Sequence, residues 1–138
     1  MSFLVDTNVF CEPAKPKPDQ RVIAWLHKNE GALYVSTVTI GEIRRGIERL
    51  PIGKRRTELL HWLQNLCDCM KGRMLSFNIS TAHVWGQLKA TWEKAGISVP
   101  SLDSQIAATA HRHGLTIVTR NVSDFEKTGL KVLNPFRA

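Results

Sequence analysis

Short apolar segments alternate along the chain with longer amphipathic ones. The short segments have the length and character of buried parallel strands. The longer segments repeat apolar residues every three or four positions, as helices with one buried face do. The predicted strands are residues 3–5, 33–36, 74–77, 116–119 and 131–133, and the predicted helices are residues 20–29, 37–49, 55–70, 81–94 and 102–113. This alternation predicts an α/β fold in which helices cover both faces of a central, mainly parallel sheet.

Residues 12–19 interrupt the alternation with three of the six prolines of the chain. Proline fixes one backbone dihedral and lacks an N–H donor, which excludes a helix interior and a central strand. We therefore expect an extended, basic surface loop here. In the helix that follows later, residues 81–94, we expect Trp85 and Trp92 to belong to the core, because their spacing places them on one face.

Length and composition indicate one globular domain covering residues 1–138. Hydrophobic residues make up 43% of the chain and charged residues 22%, and no apolar run approaches the length of a membrane span. The N-terminus lacks a basic segment and places Asp6 where a signal peptide would continue apolar. Three cysteines are an odd number for a disulfide framework, so reduced thiols are expected. We expect a cytoplasmic protein with no membrane partner.

Positive charge is concentrated in one part of the chain. The net charge is +7, and six of the nineteen Lys and Arg residues lie between Arg44 and Arg56. Such a concentration suits a polyanion such as nucleic acid, or an acidic protein partner. A solvated helix face would give the same pattern, so charge alone leaves both interpretations open.

Four acidic residues occupy similar positions in the predicted fold: Asp6, Glu42, Asp103 and Asp124. Each lies next to the carboxyl end of a strand or near the start of the helix beyond it, and in a parallel sheet those ends share one edge. Converging carboxylates repel one another and raise each other's pKa. A divalent cation such as Mg²⁺ or Mn²⁺, which prefers oxygen ligands, relieves this repulsion. The sequence therefore predicts a metal site at this edge.

Each of these acids also has a purely structural interpretation. Asp6 could hold a turn through its backbone neighbours, and Glu42 could complete a capping box with Thr39, three residues earlier. Asp103 could complement a helix dipole, and Asp124 could cap the turn that follows it. We expect the metal site because four such coincidences on one sheet edge would otherwise be needed.

Four segments of the chain resemble the motifs of PIN-domain nucleases. They are residues 3–9 (FLVDTNV), 39–46 (TIGEIRRG), 102–110 (LDSQIAATA) and 118–125 (VTRNVSDF), with Asn134-Pro-Phe near the end. Residues 8–13 (NVFCEP) are similar to the corresponding run of VapC toxins and FitB-like proteins within that family. The resemblance covers essentially the whole chain, and the order and spacing of the motifs make it specific.

The resemblance implies a three-layer α/β/α PIN-like fold and a Mg²⁺- or Mn²⁺-dependent endoribonuclease, the toxin of a toxin–antitoxin pair. Asp6 and Asp103 match the main metal ligands of the family. Glu42 matches the acid that orients the attacking water or completes a second metal site. Asn8 and Thr119 are expected to hold carboxylates and waters in place.

The chain departs from the family pattern at one position. Many relatives carry an acid directly after Thr-Arg, where this chain has Asn121, and Asp124 follows three residues later. An amide oxygen can bind a cation or a water, but it brings no negative charge. Either Asn121 or Asp124 is the fourth member of the site, and the sequence leaves that choice open.

The resemblance also implies partners. We expect an RNA substrate whose backbone is bound near Arg44 and Arg45, and a small DNA-binding antitoxin. We further expect a homodimer or a dimer-based higher oligomer, with the helices of residues 37–70, including Leu59 and Leu63, at the interface. The alternative is a non-catalytic PIN-like module that binds nucleic acid or a partner, although such a module has no need of converging carboxylates.

Overall fold

A computed structural model describes residues 1–137, and Ala138 lies outside the described residues. Its five strands are β1 (Phe3–Val5), β2 (Leu33–Ser36), β3 (Met74–Leu75), β4 (Thr116–Val118) and β5 (Val132–Leu133). They form one sheet in the order β3-β2-β1-β4-β5, and every neighbouring pair is parallel. The expected parallel sheet is confirmed, with three of its strands shorter than predicted.

Within residues 1–137, seven α-helices surround this sheet. They are α1 (Thr7–Phe10), α2 (Gln20–Lys28), α3 (Thr37–Glu48), α4 (Lys54–Cys69), α5 (Ile79–Lys94), α6 (Ser101–His113) and α7 (Val122–Glu126). The five predicted helices are confirmed with ends shifted by at most two residues, whereas α1 and α7 were not predicted. None of the helices in this part of the chain is long and apolar enough to cross a membrane.

Alternate side chains of β1 pack into two separate hydrophobic cores, one on each face of the sheet. Phe3 and Val5 pack in one cluster, with residues of α1, α2 and the end of α4. Leu4 points to the opposite face and packs in a second cluster, with residues of α5, α6 and α7. Because successive strand residues face opposite sides of a sheet, an all-apolar strand requires cover on both. The three-layer α/β/α arrangement is confirmed.

The strand order has its switch point between β1 and β4, the central pair. From β1 the chain passes to β2 on one side, while β4 lies on the other. The backbone N–H of Asp6 donates to the carbonyl of Val118 over 2.9 Å, so the pairing continues to the carboxyl ends of both strands. In open α/β sheets the crevice at such a switch point is the usual ligand site.

The expected extended loop at residues 12–19 is wrong for its first three residues. Glu12–Ala14 form a 3₁₀ turn, and Glu12 is buried, with 4% of its surface exposed. Its carboxylate lies 3.2 Å from the ammonium of Lys15. Arg55, in α4, donates to the carbonyl of Ala14 over 2.7 Å and so fixes the turn against that helix. Tertiary partners, which local sequence does not reveal, convert the start of the loop into a packed turn.

The two tryptophans of α5 have different roles. Trp92 is buried, as expected, in the cluster beneath α6. Trp85 is only partly buried, and its indole N–H donates to the hydroxyl of Ser104 over 2.8 Å. The core assignment is thus correct for Trp92, while Trp85 joins α5 to α6 through a hydrogen bond.

Candidate metal and nuclease site

Asp6 is held by hydrogen bonds on both of its carboxylate oxygens. Oδ1 accepts from the backbone N–H of Thr7 over 2.8 Å, which makes Asp6 the N-cap of α1. Oδ2 accepts from the hydroxyl of Thr119 over 2.8 Å and from the amide of Asn8 over 3.4 Å. A carboxylate has about four acceptor sites, so these three bonds leave room for one further ligand. The turn-forming role considered for Asp6 is therefore real, and it coexists with a free acceptor site.

Thr119 is the centre of the network that fixes Asp6. Besides donating to Asp6, its fully buried hydroxyl oxygen accepts from the side-chain amide of Asn8 over 3.2 Å and from the backbone N–H of Asn121 over 3.0 Å. The backbone N–H of Arg120 donates to Oδ1 of Asn8 over 3.0 Å. One donor and two acceptor sites are all that a hydroxyl offers. The network thereby ties the loop after β4 to the loop after β1.

The remaining acids come from three different helices and act on Asp6 and on one another. Burial raises the pKa of Asp6, and the charge of Asp124 adds a smaller increase. Burial, followed by the charges of Asp6 and Asp124, raises the pKa of Asp103 to about 6. Burial, followed by the charges of Asp6 and Asp103, raises the pKa of Glu42. Each of the four carboxylates thus lies within electrostatic range of at least one other, so the fold brings these acids to one region.

Two cations moderate this repulsion without removing it. The charge of Arg45 lowers the pKa of Glu42, and the charge of Lys127, directly after α7, lowers the pKa of Asp103. In both carboxyls, burial and the neighbouring acids outweigh the cation. Arg44, by contrast, forms an ion pair with Glu48 at 2.8 Å. Of the two arginines expected to bind the substrate, Arg45 is therefore the one that acts on the acids. Lys127 was not expected at the site, because α7 was not predicted.

Asp124 and Asn121 differ in how they relate to the other acids. Asp124 lies in the first turn of α7, and its charge raises the pKa of both Asp6 and Asp103. Asn121 is exposed at the N-cap position of α7, and its side chain makes no capping hydrogen bond. The electrostatic partner of the cluster is thus Asp124, while Asn121 contributes its backbone N–H to Thr119.

Glu42 is not part of a capping box. The N-cap of α3 is Ser36, whose hydroxyl accepts from the backbone N–H of Val38 over 3.1 Å. Thr39 lies inside the helix and is fully buried. Glu42, one turn further along α3, is half-buried among the other acids, so the structural alternative for this residue is wrong.

The donor set suits a hard divalent cation held by few protein ligands. Among residues 1–137, no three histidine, cysteine, aspartate or glutamate side chains are placed to hold one metal ion together as they stand. Mg²⁺ is commonly bound through one or two carboxylates, with waters and substrate oxygens completing its shell. Asp6, with one free acceptor site, and Asp103, with its raised pKa, could provide such a pair. Oxygen donors and unrelieved negative charge thus fit Mg²⁺ or Mn²⁺.

Comparison with known proteins agrees with this arrangement. The family model described as "PIN domain" matches residues 3–130. The chain is 36% identical to the VapC ribonuclease Y4jK of Sinorhizobium fredii, with 96% of each chain covered. It is also 36% identical to the toxin FitB of Neisseria gonorrhoeae, with 96% of this chain and 97% of FitB covered.

A solved structure gives the same result in three dimensions. The crystal structure of FitAcB from Neisseria gonorrhoeae superposes with a TM-score of 0.92 at 35% sequence identity and covers 99% of both chains. The resemblance noted from the motifs is therefore confirmed over nearly the full length of the chain. This protein belongs to the PIN-domain family, among its VapC- and FitB-like members.

Proposed function

We propose that this chain is a Mg²⁺- or Mn²⁺-dependent endoribonuclease and the toxin of a toxin–antitoxin pair, with residues 1–138 acting as one domain. The observation that carries the proposal is that burial, together with the charge of neighbouring carboxylates, raises the pKa of Asp6, Glu42 and Asp103 at the switch point of a PIN fold. Clustered acids in a chain of net charge +7 suit an anionic substrate that reaches them with a cation.

In this mechanism each residue has a defined task. A bound Mg²⁺ or Mn²⁺ supplies charge for the phosphoryl oxygen and lowers the pKa of a coordinated water. Asp6 and Asp103 would hold such a cation, and Thr119 keeps Asp6 in position. The carboxylate of Glu42 accepts a hydrogen bond from the attacking water and orients it in line with the leaving 3′-oxygen. Asp124 adds negative charge behind Asp6 and Asp103 and so strengthens their hold on the cation.

The RNA backbone is bound by cations around these acids. Arg45 and Lys127 are near enough to influence Glu42 and Asp103, so they are suited to contact the phosphates on either side of the cleaved bond. Phosphate contacts of this kind position a nucleic acid without reading its sequence. Arg44 contributes less, because Glu48 already neutralises it.

The partner that we propose is a small DNA-binding antitoxin, in the cytoplasm, bound to a dimer of this chain. An apolar cavity of about 640 Å³ between α2 and α4, lined by Leu26, Trp62 and Leu66 among others, is suited to an amphipathic segment of such a partner. Leu63, expected at the interface, is instead buried against Ile43 and Ile47 within the chain. Leu63 therefore cannot contact a partner directly.

Cleavage of single-stranded RNA by the purified chain tests the proposal. We expect cleavage with Mg²⁺ or Mn²⁺ and none in EDTA. The variant Asp103→Asn should lose cleavage while retaining the far-UV circular dichroism spectrum of the wild type. Binding of RNA without cleavage, across divalent ions and for structured as well as single-stranded substrates, would instead support the non-catalytic module.

A further inference from the structure

A second cavity, of about 260 Å³, opens directly beside the acids, between α1, α3 and the start of α4. Two of its lining residues belong to the candidate site. Thr7 donates its backbone N–H to Asp6, and Glu42 is one of the four acids. The cavity therefore adjoins the candidate site at Glu42 and at Thr7, the neighbour of Asp6.

The walls of this cavity are apolar, and its cationic residues are exposed. Ile43, Ile47, Leu59 and Trp62 form much of the lining. Cys11 is part of it as well, and burial raises the pKa of its thiol to about 11, so the thiol stays uncharged. Lys15 and Arg55 also line the cavity and are exposed; Lys15 is paired with Glu12, whereas Arg55 has no carboxylate partner within residues 1–137 and donates to the carbonyl of Ala14. An occupant thus needs apolar faces and adjoining negative charge.

Gly46 keeps the cavity open. It lies in the interior of α3, where glycine weakens a helix relative to alanine. Neither a left-handed backbone nor close packing requires glycine there, because a Cβ at this position would meet nothing within 4 Å. Gly46 lines the cavity, so any larger side chain would occupy space that is now free.

We propose that this cavity receives the nucleobase next to the cleaved phosphate, an inference that rests on the proposed ribonuclease function. A nucleobase has apolar faces of the kind that stack on aromatic side chains, and Trp62 lines the cavity; the phosphates that flank a base suit the positive charge of Arg55 in the same lining. With so few polar groups, the cavity selects a base by size and by its unstacked state more than by its hydrogen-bonding edge.

Gly46→Leu tests this assignment, and Gly41→Leu is its matched control. Both glycines lie inside α3, and a Cβ at either would meet nothing within 4 Å, but Gly41 does not line the cavity. Binding of a fluorescent single-stranded oligoribonucleotide is measured by anisotropy in the Asp103→Asn background, which prevents cleavage. We expect Gly46→Leu to weaken binding by about tenfold, in the range of one lost base stack, and Gly41→Leu to leave it unchanged.

Oligoribonucleotides that each carry one abasic position show which base of the RNA is bound in the cavity. Removing the base that occupies the cavity should weaken binding to the Asp103→Asn parent and leave binding to Gly46→Leu unaltered, because the filled cavity no longer receives that base. Equal binding of intact RNA by both variants and their parent overturns the proposal. Cleavage by the wild type is scored separately, so loss of the base subsite and failure of the nuclease function are distinguishable.

Discussion

At the scale of single residues, Thr119 determines how Asp6 is presented. It donates to Asp6 and accepts from both Asn8 and the backbone of Asn121, so every hydrogen-bonding site of its hydroxyl is used. Asp6 itself is 4% exposed, and the hydrogen bond from Thr119 lowers its pKa against the larger effect of burial. The hydroxyl of Thr119, together with the backbone N–H of Thr7, therefore favours the charged form of Asp6.

The substitution Thr119→Val removes that hydroxyl with little change of shape. We expect the pKa of Asp6 to rise further, cation affinity and cleavage to fall by about 10- to 100-fold, and the free energy of unfolding to fall by about 1–3 kcal/mol. Urea unfolding and a cleavage assay measure these effects. Thr119→Ser, which retains the hydroxyl, is the control and should recover most of the activity; equal losses in both variants would show that the methyl group matters instead.

Asp103 makes stability depend on pH in the absence of divalent cations. Its pKa is raised to about 6 in the folded chain, although it lies in the first turn of α6, where a helix favours negative charge. The folded state therefore holds this proton more tightly than the unfolded state, and the contribution of Asp103 to stability falls as pH rises from about 4 to about 6. In EDTA, Asp103→Asn should melt above the wild type at pH 8, and this advantage should shrink towards pH 4.

At the scale of elements, the long helices and the buried strands were predictable because each carries its own periodic pattern. The helices α1 and α7 have four and five residues, too few for a repeat, and their positions depend on what they pack against. The missed contribution of Lys127 follows from the missed α7. The burial of Glu12 likewise depends on Lys15, which the sequence places in a proline-rich stretch with no sign of a packed turn.

The candidate site shows the same division. The position of the acids was predictable from the strand ends, because the topology of a parallel sheet brings the carboxyl ends of its strands to one edge. The network around Thr119 joins residues 111 positions apart, and neither that pairing nor the cavity beside Glu42 has a local signal. The sequence also left the choice between Asn121 and Asp124 open, and the charge effect of Asp124 on Asp6 and Asp103 favours Asp124.

The helical pair α3 and α4 is stabilised by its own small core. Leu63, 6% exposed, packs with Ile43 and Ile47. Leu63→Ala should lower the free energy of unfolding by about 2–5 kcal/mol, because it leaves a cavity between the two helices. Ile52→Ala, at a position 91% exposed in the connection between them, should change stability by less than about 0.5 kcal/mol. Chemical denaturation compares the two, and a small loss at Leu63 would indicate that the helices pack mainly through other residues.

At the scale of the whole molecule, the chain combines a positive surface with a cluster of acids at its centre. The net charge of +7 attracts a phosphate backbone, while Asp6, Glu42, Asp103 and Asp124 repel it. A bound divalent cation would remove this repulsion, because it neutralises the acids and attracts phosphate oxygens. Without a cation the acid cluster should therefore destabilise the folded chain, and a bound cation should relieve this.

The melting temperatures of wild type and Asp103→Asn at pH 8, measured in EDTA and then across a Mn²⁺ titration, test this central claim most directly. Without cation the variant should melt higher, because one of the repelling carboxylates is gone. A cation at 100 times its dissociation constant adds about 2.7 kcal/mol to the folded state, so saturating Mn²⁺ should raise the wild type above the variant and reverse their order. Equal shifts in the two proteins would contradict the assignment of the acid cluster as a metal site.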